Sequence, residues 1–174
     1  MAREVQSMIY AALFAALTAV GAFMAISLIG GVPITLQVLF VLLAGALLGP
    51  RWGAVSMVVY LLLGAIGLPV FARGGSGIGA ILGPTGGYLI SYVPAAYVTG
   101  WLIEKRGGKT FSWNVAAMAV GLLIIYTLGV AQLMNFNQWG LGKAIAVGAV
   151  PFILVDSLKI LAAAYVAARV DLYR

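Results

Sequence analysis

Two ionisable side chains stand in the last long apolar stretch of the sequence. Asp156 lies thirteen residues from both Lys143 and Arg169, and Lys159 follows it three positions later. A lone charge at the centre of a membrane span costs ~2.5–3.5 kcal/mol on insertion scales, so such residues are rare and usually functional. Three positions apart on a helix, the two groups share one face and can neutralise each other. Two interpretations stay open: an internal ion pair that only packs the bundle, or a site where Asp156 accepts hydrogen bonds from a ligand's N–H groups and Lys159 attracts its anionic end.

A glycine-rich segment is the second candidate for ligand contact. Seven of the fourteen residues from 74 to 87 are glycine. Main-chain amides of such a segment can approach a small ligand closely, as in a lid. A plain connector with small-residue helix packing is the alternative. The residues that we assign to this lid loop are Gly74, Gly75, Ser76, Gly77 and Gly79.

Small residues also form a stripe near the start of the chain, and one polar side chain interrupts the next apolar run. The stripe consists of Ala11, Ala12, Ala15, Ala16 and Ala19. Such a stripe permits close approach of another helix, and packing inside this chain is favoured over docking of a partner. Gln37 is either a link between helices or a ligand contact, and the sequence leaves that choice open.

Composition decides the medium in which these groups lie. The chain has 174 residues, of which 64% are apolar and 8% are charged, against ~45–50% and ~25% in soluble domains. We therefore expect a single transmembrane domain spanning residues 1–174 in the cytoplasmic membrane. The sequence has no His and no Cys, which excludes thiol chemistry and Ser–His catalysis. The basic residues form no patch of the kind that binds nucleic acid. We also expect no metal site and no catalytic residue.

Charged residues divide the chain into apolar runs of membrane-spanning length, since a transmembrane helix needs ~20 mostly apolar residues. The first uncharged run, 5–50, is long enough for two helices and is split at Gly30-Gly31-Val32-Pro33. We predict an all-α bundle of six transmembrane helices at about 6–29, 34–49, 51–68, 84–103, 112–134 and 143–169.

The basic residues predict the orientation of this bundle. Seven fall on the side of the two termini, namely Arg3, Arg51, Lys105, Arg106, Lys109, Arg169 and Arg174. Only Arg73 and Lys143 fall on the other side. We therefore expect both termini to be cytoplasmic.

Several segments together resemble one family. They are Pro33-Ile-Thr-Leu-Gln37, Leu48-Gly-Pro-Arg51-Trp-Gly53, Gly83-Pro-Thr-Gly-Gly-Tyr88 and Asp156-x-x-Lys159. In this order they resemble the BioY family, the biotin-binding S components of energy-coupling factor (ECF) transporters, over nearly the whole chain. At Leu154-Val155 the chain departs from the Pro-Gly step expected before the aspartate.

The resemblance implies a six-helix protein that captures biotin on its extracellular side and takes its energy from a T component and two ATPase subunits. It implies ligand contacts at Asp156, Lys159, Tyr88, Gly86 and Gly87, and docking of the T component on the helix-1 alanines. No cofactor is implied beyond biotin as the transported ligand.

Two other functions remain as alternatives at this point. A stand-alone small-molecule or ion carrier could use Asp156 as its ion site. An intramembrane lipid-modifying enzyme is disfavoured because no clustered carboxylates or Ser/His arrangement is present. The chain also has no ATPase motif of its own, since Gly108-Lys109-Thr110 is preceded by Ile103 where a phosphate-binding loop needs its first glycine.

Overall fold

The computed structural model describes residues 2–27, 32–107 and 110–172, and this part of the chain is almost entirely helical. The Gly30-Gly31 break, Lys109 and Arg174 lie outside the described residues. The helices are α1 (Ala2–Phe23), α2 (Gln37–Ala65), α3 (Ile78–Leu82), α4 (Gly86–Lys105), α5 (Phe111–Asn137), α6 (Leu141–Gly148) and α7 (Ile153–Ala167). Short 3₁₀ turns cover Ala72–Gly74 and Val150–Phe152. The predicted all-α class is confirmed.

The first helix begins and ends earlier than predicted. It ends at Phe23, and the chain then forms a two-residue strand, β1 (Ile26–Ser27), which pairs antiparallel with β2 (Pro33–Ile34). Paired backbone of this kind cannot continue the helix, so the predicted end at residue 29 is wrong. The hairpin returns the chain to α1, where the amide of Leu36 donates to the carbonyl of Gly21 at 3.1 Å.

The helices predicted at 34–49 and 51–68 are the two arms of α2, which doubles back on itself. Gly49 has φ 78°, a conformation that only glycine adopts without strain, and Pro50 follows it. In a straight helix Gln37 and Tyr60 would be about 34 Å apart. Their side chains are hydrogen-bonded at 2.6 Å. Residues 37–48 and 50–65 therefore form a helical hairpin that turns at Gly49.

Glycines let the two arms of α2 pack backbone to backbone against α4. A Cβ on Gly45 would meet the carbonyl oxygen of Ala96. A Cβ on Gly100 would lie 2.6 Å from both the Gly45 carbonyl oxygen and the Pro50 nitrogen. Since real Cβ atoms do not approach backbone this closely, side chains at these positions would force the helices apart.

The helix predicted at 143–169 is wrong as a single helix, because it is broken. Pro151 lies within the 3₁₀ turn between α6 and α7, and its missing N–H interrupts the helical hydrogen bonds. The break therefore occurs without the Pro-Gly step that Leu154-Val155 replaces. As a result α7 begins at Ile153, and Asp156 lies in its first turn.

In the described part of the chain, four stretches are long and apolar enough to cross a membrane: Arg3–Phe23, Gln37–Ala65 with its two arms, Phe111–Asn137, and Leu141–Ala167, which joins α6 and α7. Basic side chains stack on aromatic rings at helix ends and at the turn of α2, an arrangement typical of membrane–water interfaces. The pairs are Arg51 with Trp52, Lys105 with Trp101, Arg106 with Trp113, Arg169 with Tyr165, and Lys143 with Trp139.

Five of the described basic residues lie at one end of the bundle, and we call them the basic cluster: Arg3, Arg51, Lys105, Arg106 and Arg169. Arg169 lines a depression there together with Gly49 and Glu104. The N-terminal region joins this end because Gln6 donates a hydrogen bond to the carbonyl of Leu172 at 3.2 Å. Arg73 and Lys143 lie at the opposite end. The two ends of the bundle thus differ in charge as the sequence predicts.

Replacing Gly100 by alanine tests the close packing of α2 against α4. We expect Gly100→Ala to lower the free energy of unfolding by about 1–3 kcal/mol, because the new methyl group meets only backbone atoms. Gly142→Ala in α6 is the control, since nothing lies within 4 Å of its Cβ position. Thermal unfolding in detergent measures both. Equal stability of the two variants would contradict this packing.

Candidate functional site

A cavity of about 110 Å³ lies at the end of the bundle opposite the basic cluster. Its walls come from β2 and the start of α2, the segment before α3, the first turns of α4, the middle of α5, and the start of α7. Most of the wall is apolar, including Phe71, Leu89, Ile125 and Phe152. A few polar groups converge within it, which is the usual composition of a small-molecule site.

Asp156 and Lys159 meet at this cavity, as predicted from their spacing. The Lys159 Nζ lies 2.7 Å from Asp156 Oδ1. The two residues are only 3% and 6% exposed. A buried charge without a partner is strongly destabilising, and here each charge has the other as its partner. Because the groups touch, both lie at the same end of the cavity, whereas the sequence interpretation assigned them to different parts of a ligand.

Two residues that the sequence analysis did not single out complete this charged cluster. The hydroxyl of Tyr126 on α5 donates to Asp156 Oδ2 at 2.7 Å. Lys159 Nζ also donates to the backbone carbonyl of Thr35 at 2.6 Å. The cluster therefore connects α5, α7 and the segment before α2. A hydroxyl in an apolar run is too common in membrane helices to have marked Tyr126 in advance.

Gln37 connects the cluster to the second arm of α2. Its Oε1 accepts a hydrogen bond from the Thr35 hydroxyl at 2.9 Å, and its Nε2 donates to the Tyr60 hydroxyl at 2.6 Å. Tyr60 in turn donates to the carbonyl of Val70 at 3.0 Å. Gln37 thus links the two arms of α2 and also lines the cavity, and its contact with a ligand stays a prediction.

Tyr88 lines the cavity and supports the break before α7. Its hydroxyl donates to the carbonyl of Gly148 at 2.7 Å, at the end of α6. Its ring occupies the space where a Cβ on Gly129 would lie. Tyr88 therefore fixes the end of α6 relative to α4 and α5.

Gly86 and Gly87 do not line the cavity, although both were predicted as ligand contacts. A Cβ on Gly86 would meet the carbonyl oxygen of Ile81, and one on Gly87 would meet that of Leu128 on α5. Both glycines therefore lie where α4 packs closely against neighbouring backbone.

The predicted lid loop covers part of the cavity. Gly75 and the adjacent Ala72 line it, while Gly74, Ser76, Gly77 and Gly79 do not. Phe71 forms a β-bridge with Gly75, and the amide of Gly77 donates to the carbonyl of Gly64 at 2.7 Å. The bridge thus closes the loop on itself, and the hydrogen bond from Gly77 holds it to the second arm of α2.

The alanine stripe of α1 faces two directions. Ala11 and Ala15 are each 2% exposed and pack inside the chain, and Ala19 is half-buried. Ala12 and Ala16 are exposed on the outer face of α1. Only this outer face is open to a partner, so internal packing accounts for Ala11 and Ala15.

The charged groups of the cavity are held in place by protein partners. Within residues 2–27, 32–107 and 110–172, no three metal-ligating side chains gather into a cluster. Asp156 and Lys159 are held by each other and by Tyr126 and Thr35. Such a fixed, internally neutral pair can donate and accept hydrogen bonds to a ligand that is itself largely apolar.

Comparison with known proteins places this fold among transporter subunits. The sequence matches the BioY family over residues 1–173. "Biotin transporter BioY" from Thermotoga maritima is 46% identical, covering 94% of this chain and 95% of the relative. "Biotin transporter BioY" from Rhodobacter capsulatus is 41% identical, covering 93% of this chain and 91% of the relative.

A solved structure agrees with these sequence relatives. The crystal structure of the S-component for biotin from an ECF-type ABC transporter superposes with a TM-score of 0.88 at 27% identity. The match covers 96% of this chain and 91% of that chain. With the match over residues 1–173, these similarities confirm the resemblance: the chain belongs to the BioY family.

Proposed function

We propose that this chain is the membrane-embedded, biotin-binding S component of an ECF vitamin uptake transporter. The observation that carries the proposal is the buried Asp156–Lys159 pair in an otherwise apolar cavity. Relatives of nearly the same length that are named biotin transporters support the choice of ligand. The role is substrate binding, and it requires no catalytic residue.

The chain forms a single transmembrane domain over residues 1–174 and crosses the membrane six times. The crossings are α1, the two arms of α2, α4, α5, and α6 together with α7. The hydrogen bond between Gln37 and Tyr60 supports counting α2 twice. The 20 residues of α4 reach about 30 Å, the thickness of the hydrocarbon core. An even number of crossings puts both termini on one side, and the basic cluster makes that side cytoplasmic.

Biotin combines the features that this cavity complements. It has a bicyclic apolar body and a cyclic urea with two N–H donors and one carbonyl acceptor. Asp156 has lone pairs left after its bonds to Lys159 and Tyr126, and it accepts a urea N–H. The third N–H of Lys159 donates to an acceptor on the ligand. Phe71 and Phe152 pack on the apolar body.

Energy for transport comes from partners, namely a T component and two ATPase subunits. The family resemblance supports this arrangement, as does the fold shared with the S component of an ECF-type transporter. The T component docks on the exposed face of α1 at Ala12 and Ala16, where small side chains allow close helix approach. Biotin enters from the opposite, extracellular end, where the lid loop lies.

Binding of labelled biotin to the purified chain tests the ligand assignment. We expect saturable binding, and we expect Asp156→Asn to lower the affinity by about one to two orders of magnitude. The reason is that a neutral amide replaces a charged acceptor, and charged hydrogen bonds contribute about 1.5–3 kcal/mol. Equilibrium dialysis or calorimetry in detergent measures this change.

Asp171→Asn is the matched control, because Asp171 lines the depression at the other end of the bundle. Its affinity for biotin should equal that of the unmodified chain. Absence of biotin binding by the unmodified chain would refute the function, and equal losses in both variants would refute the site.

Leucine substitution on α1 tests the docking face. We expect Ala16→Leu to weaken assembly with the T component while biotin affinity stays unchanged, because added bulk blocks close approach on the exposed face. Ala15→Leu should instead destabilise the chain itself, since it places a larger side chain in the core. Co-purification with the T component and thermal unfolding separate these two effects.

Ala131→Leu provides the comparison on an exposed face of α5. It should alter neither assembly nor stability. Undiminished co-purification of the Ala16→Leu variant would show that the partner binds elsewhere.

A further inference from the structure

Four tyrosines line or adjoin the cavity, and three of them use their hydroxyl groups within the protein. Each of the three donates to a protein acceptor at 2.7–3.0 Å. The donor–acceptor pairs are Tyr60 with the Val70 carbonyl, Tyr88 with the Gly148 carbonyl, and Tyr126 with Asp156 Oδ2. These hydroxyl protons are therefore already committed when a ligand arrives.

Tyr92 differs from the other three. It lies one helical turn after Tyr88 on α4 and is 4% exposed, and its ring lines the cavity. Its hydroxyl forms no hydrogen bond with any residue in the part of the chain that the structure describes. The hydroxyl is not completely enclosed by protein atoms, and Tyr92 is one of the residues that line the cavity. Because a buried hydroxyl without a partner is costly, one facing a cavity is available to a ligand.

The surroundings of Tyr92 indicate which part of a ligand it meets. Its ring lies 6.4 Å from that of Tyr60, whose hydroxyl accepts a hydrogen bond from Gln37. Gln37 is in turn bonded to Thr35, whose carbonyl accepts from Lys159, the partner of Asp156. Tyr92 is therefore at the Asp156 end of the cavity. An acceptor bound there must lie beside the N–H that Asp156 takes, and in a cyclic urea the carbonyl oxygen lies beside each N–H.

We propose that the Tyr92 hydroxyl donates a hydrogen bond to the urea carbonyl oxygen of the bound ligand, and that it contributes to selection of a cyclic urea. This inference rests on the proposed function. The carbonyl oxygen has two lone pairs, so it can accept from Tyr92 and from the free N–H of Lys159 together. Asp156 then accepts a hydrogen bond from the adjacent N–H, so the three residues together recognise the donor and acceptor pattern of the ring.

The test is Tyr92→Phe, which removes the hydroxyl and keeps the ring. We expect biotin affinity to fall about 5- to 100-fold, because the ligand oxygen loses its donor. The melting temperature of the ligand-free chain should not fall, because the hydroxyl has no partner to lose. Tyr60→Phe breaks an internal hydrogen bond and should lower that temperature. Tyr97→Phe, on an exposed position of α4, should alter neither quantity.

Two ligand analogues identify the oxygen. A thiourea analogue of biotin replaces the carbonyl oxygen by sulfur, a weak acceptor, so Tyr92→Phe should cost it much less affinity than it costs biotin. Biotin whose side-chain carboxylate is converted to an amide keeps the urea, so Tyr92→Phe should lower its affinity as much as it lowers the affinity of biotin. A loss confined to ligands with a free carboxylate would overturn the assignment.

Three other outcomes are also decisive. Less than a twofold change in biotin affinity for Tyr92→Phe, with normal binding by the unmodified chain, overturns the role of Tyr92 alone. A melting temperature lowered as far as in Tyr60→Phe overturns it as well, since the hydroxyl would then be structural. Failure of the unmodified chain to bind biotin removes both this inference and the proposed function.

Discussion

The ammonium group of Lys159 lies between Asp156 Oδ1 and the carbonyl oxygen of Thr35, at 2.7 and 2.6 Å. The elements around the cavity meet at this point, because the hydrogen bond of Tyr126 connects α5 to it and that of Gln37 connects the second arm of α2. Neither charge is stable alone in an apolar bundle, so the pair is a constraint that the rest of the packing must satisfy. The same constraint keeps hydrogen-bonding groups fixed in position before a ligand enters.

Close helix packing makes this arrangement possible in so short a chain. The hairpin at Gly49 reverses the direction of α2 and brings Tyr60 beside Gln37. Glycines in α2 and α4 let these helices touch backbone to backbone, and the break at Pro151 starts α7 where Asp156 reaches the cavity. Tyr88 stabilises that break. Local sequence features at the glycines and the proline thus determine where the charged pair lies.

The charged part of the site was predictable from the sequence, because Asp156 and Lys159 are conspicuous in an apolar run. Their partners were not, since Tyr126 and Thr35 lie 30 and 124 residues away along the chain, and a hydroxyl or a backbone carbonyl leaves no signal at that separation. The helix break was missed although Pro151 marked it. The hairpin of α2 was predicted as two helices because Arg51 interrupts the apolar run.

A double-mutant cycle of Asp156→Asn and Lys159→Met, measured as both biotin affinity and thermal stability, tests most directly whether the pair binds the ligand or only neutralises itself. Each single change strands a buried charge and should lower stability, and the double change should restore the stability. We expect the double variant to fold and to fail to bind biotin. Near-original affinity in that variant would contradict the account, because the pair would then be structural and the ligand would be held by other groups.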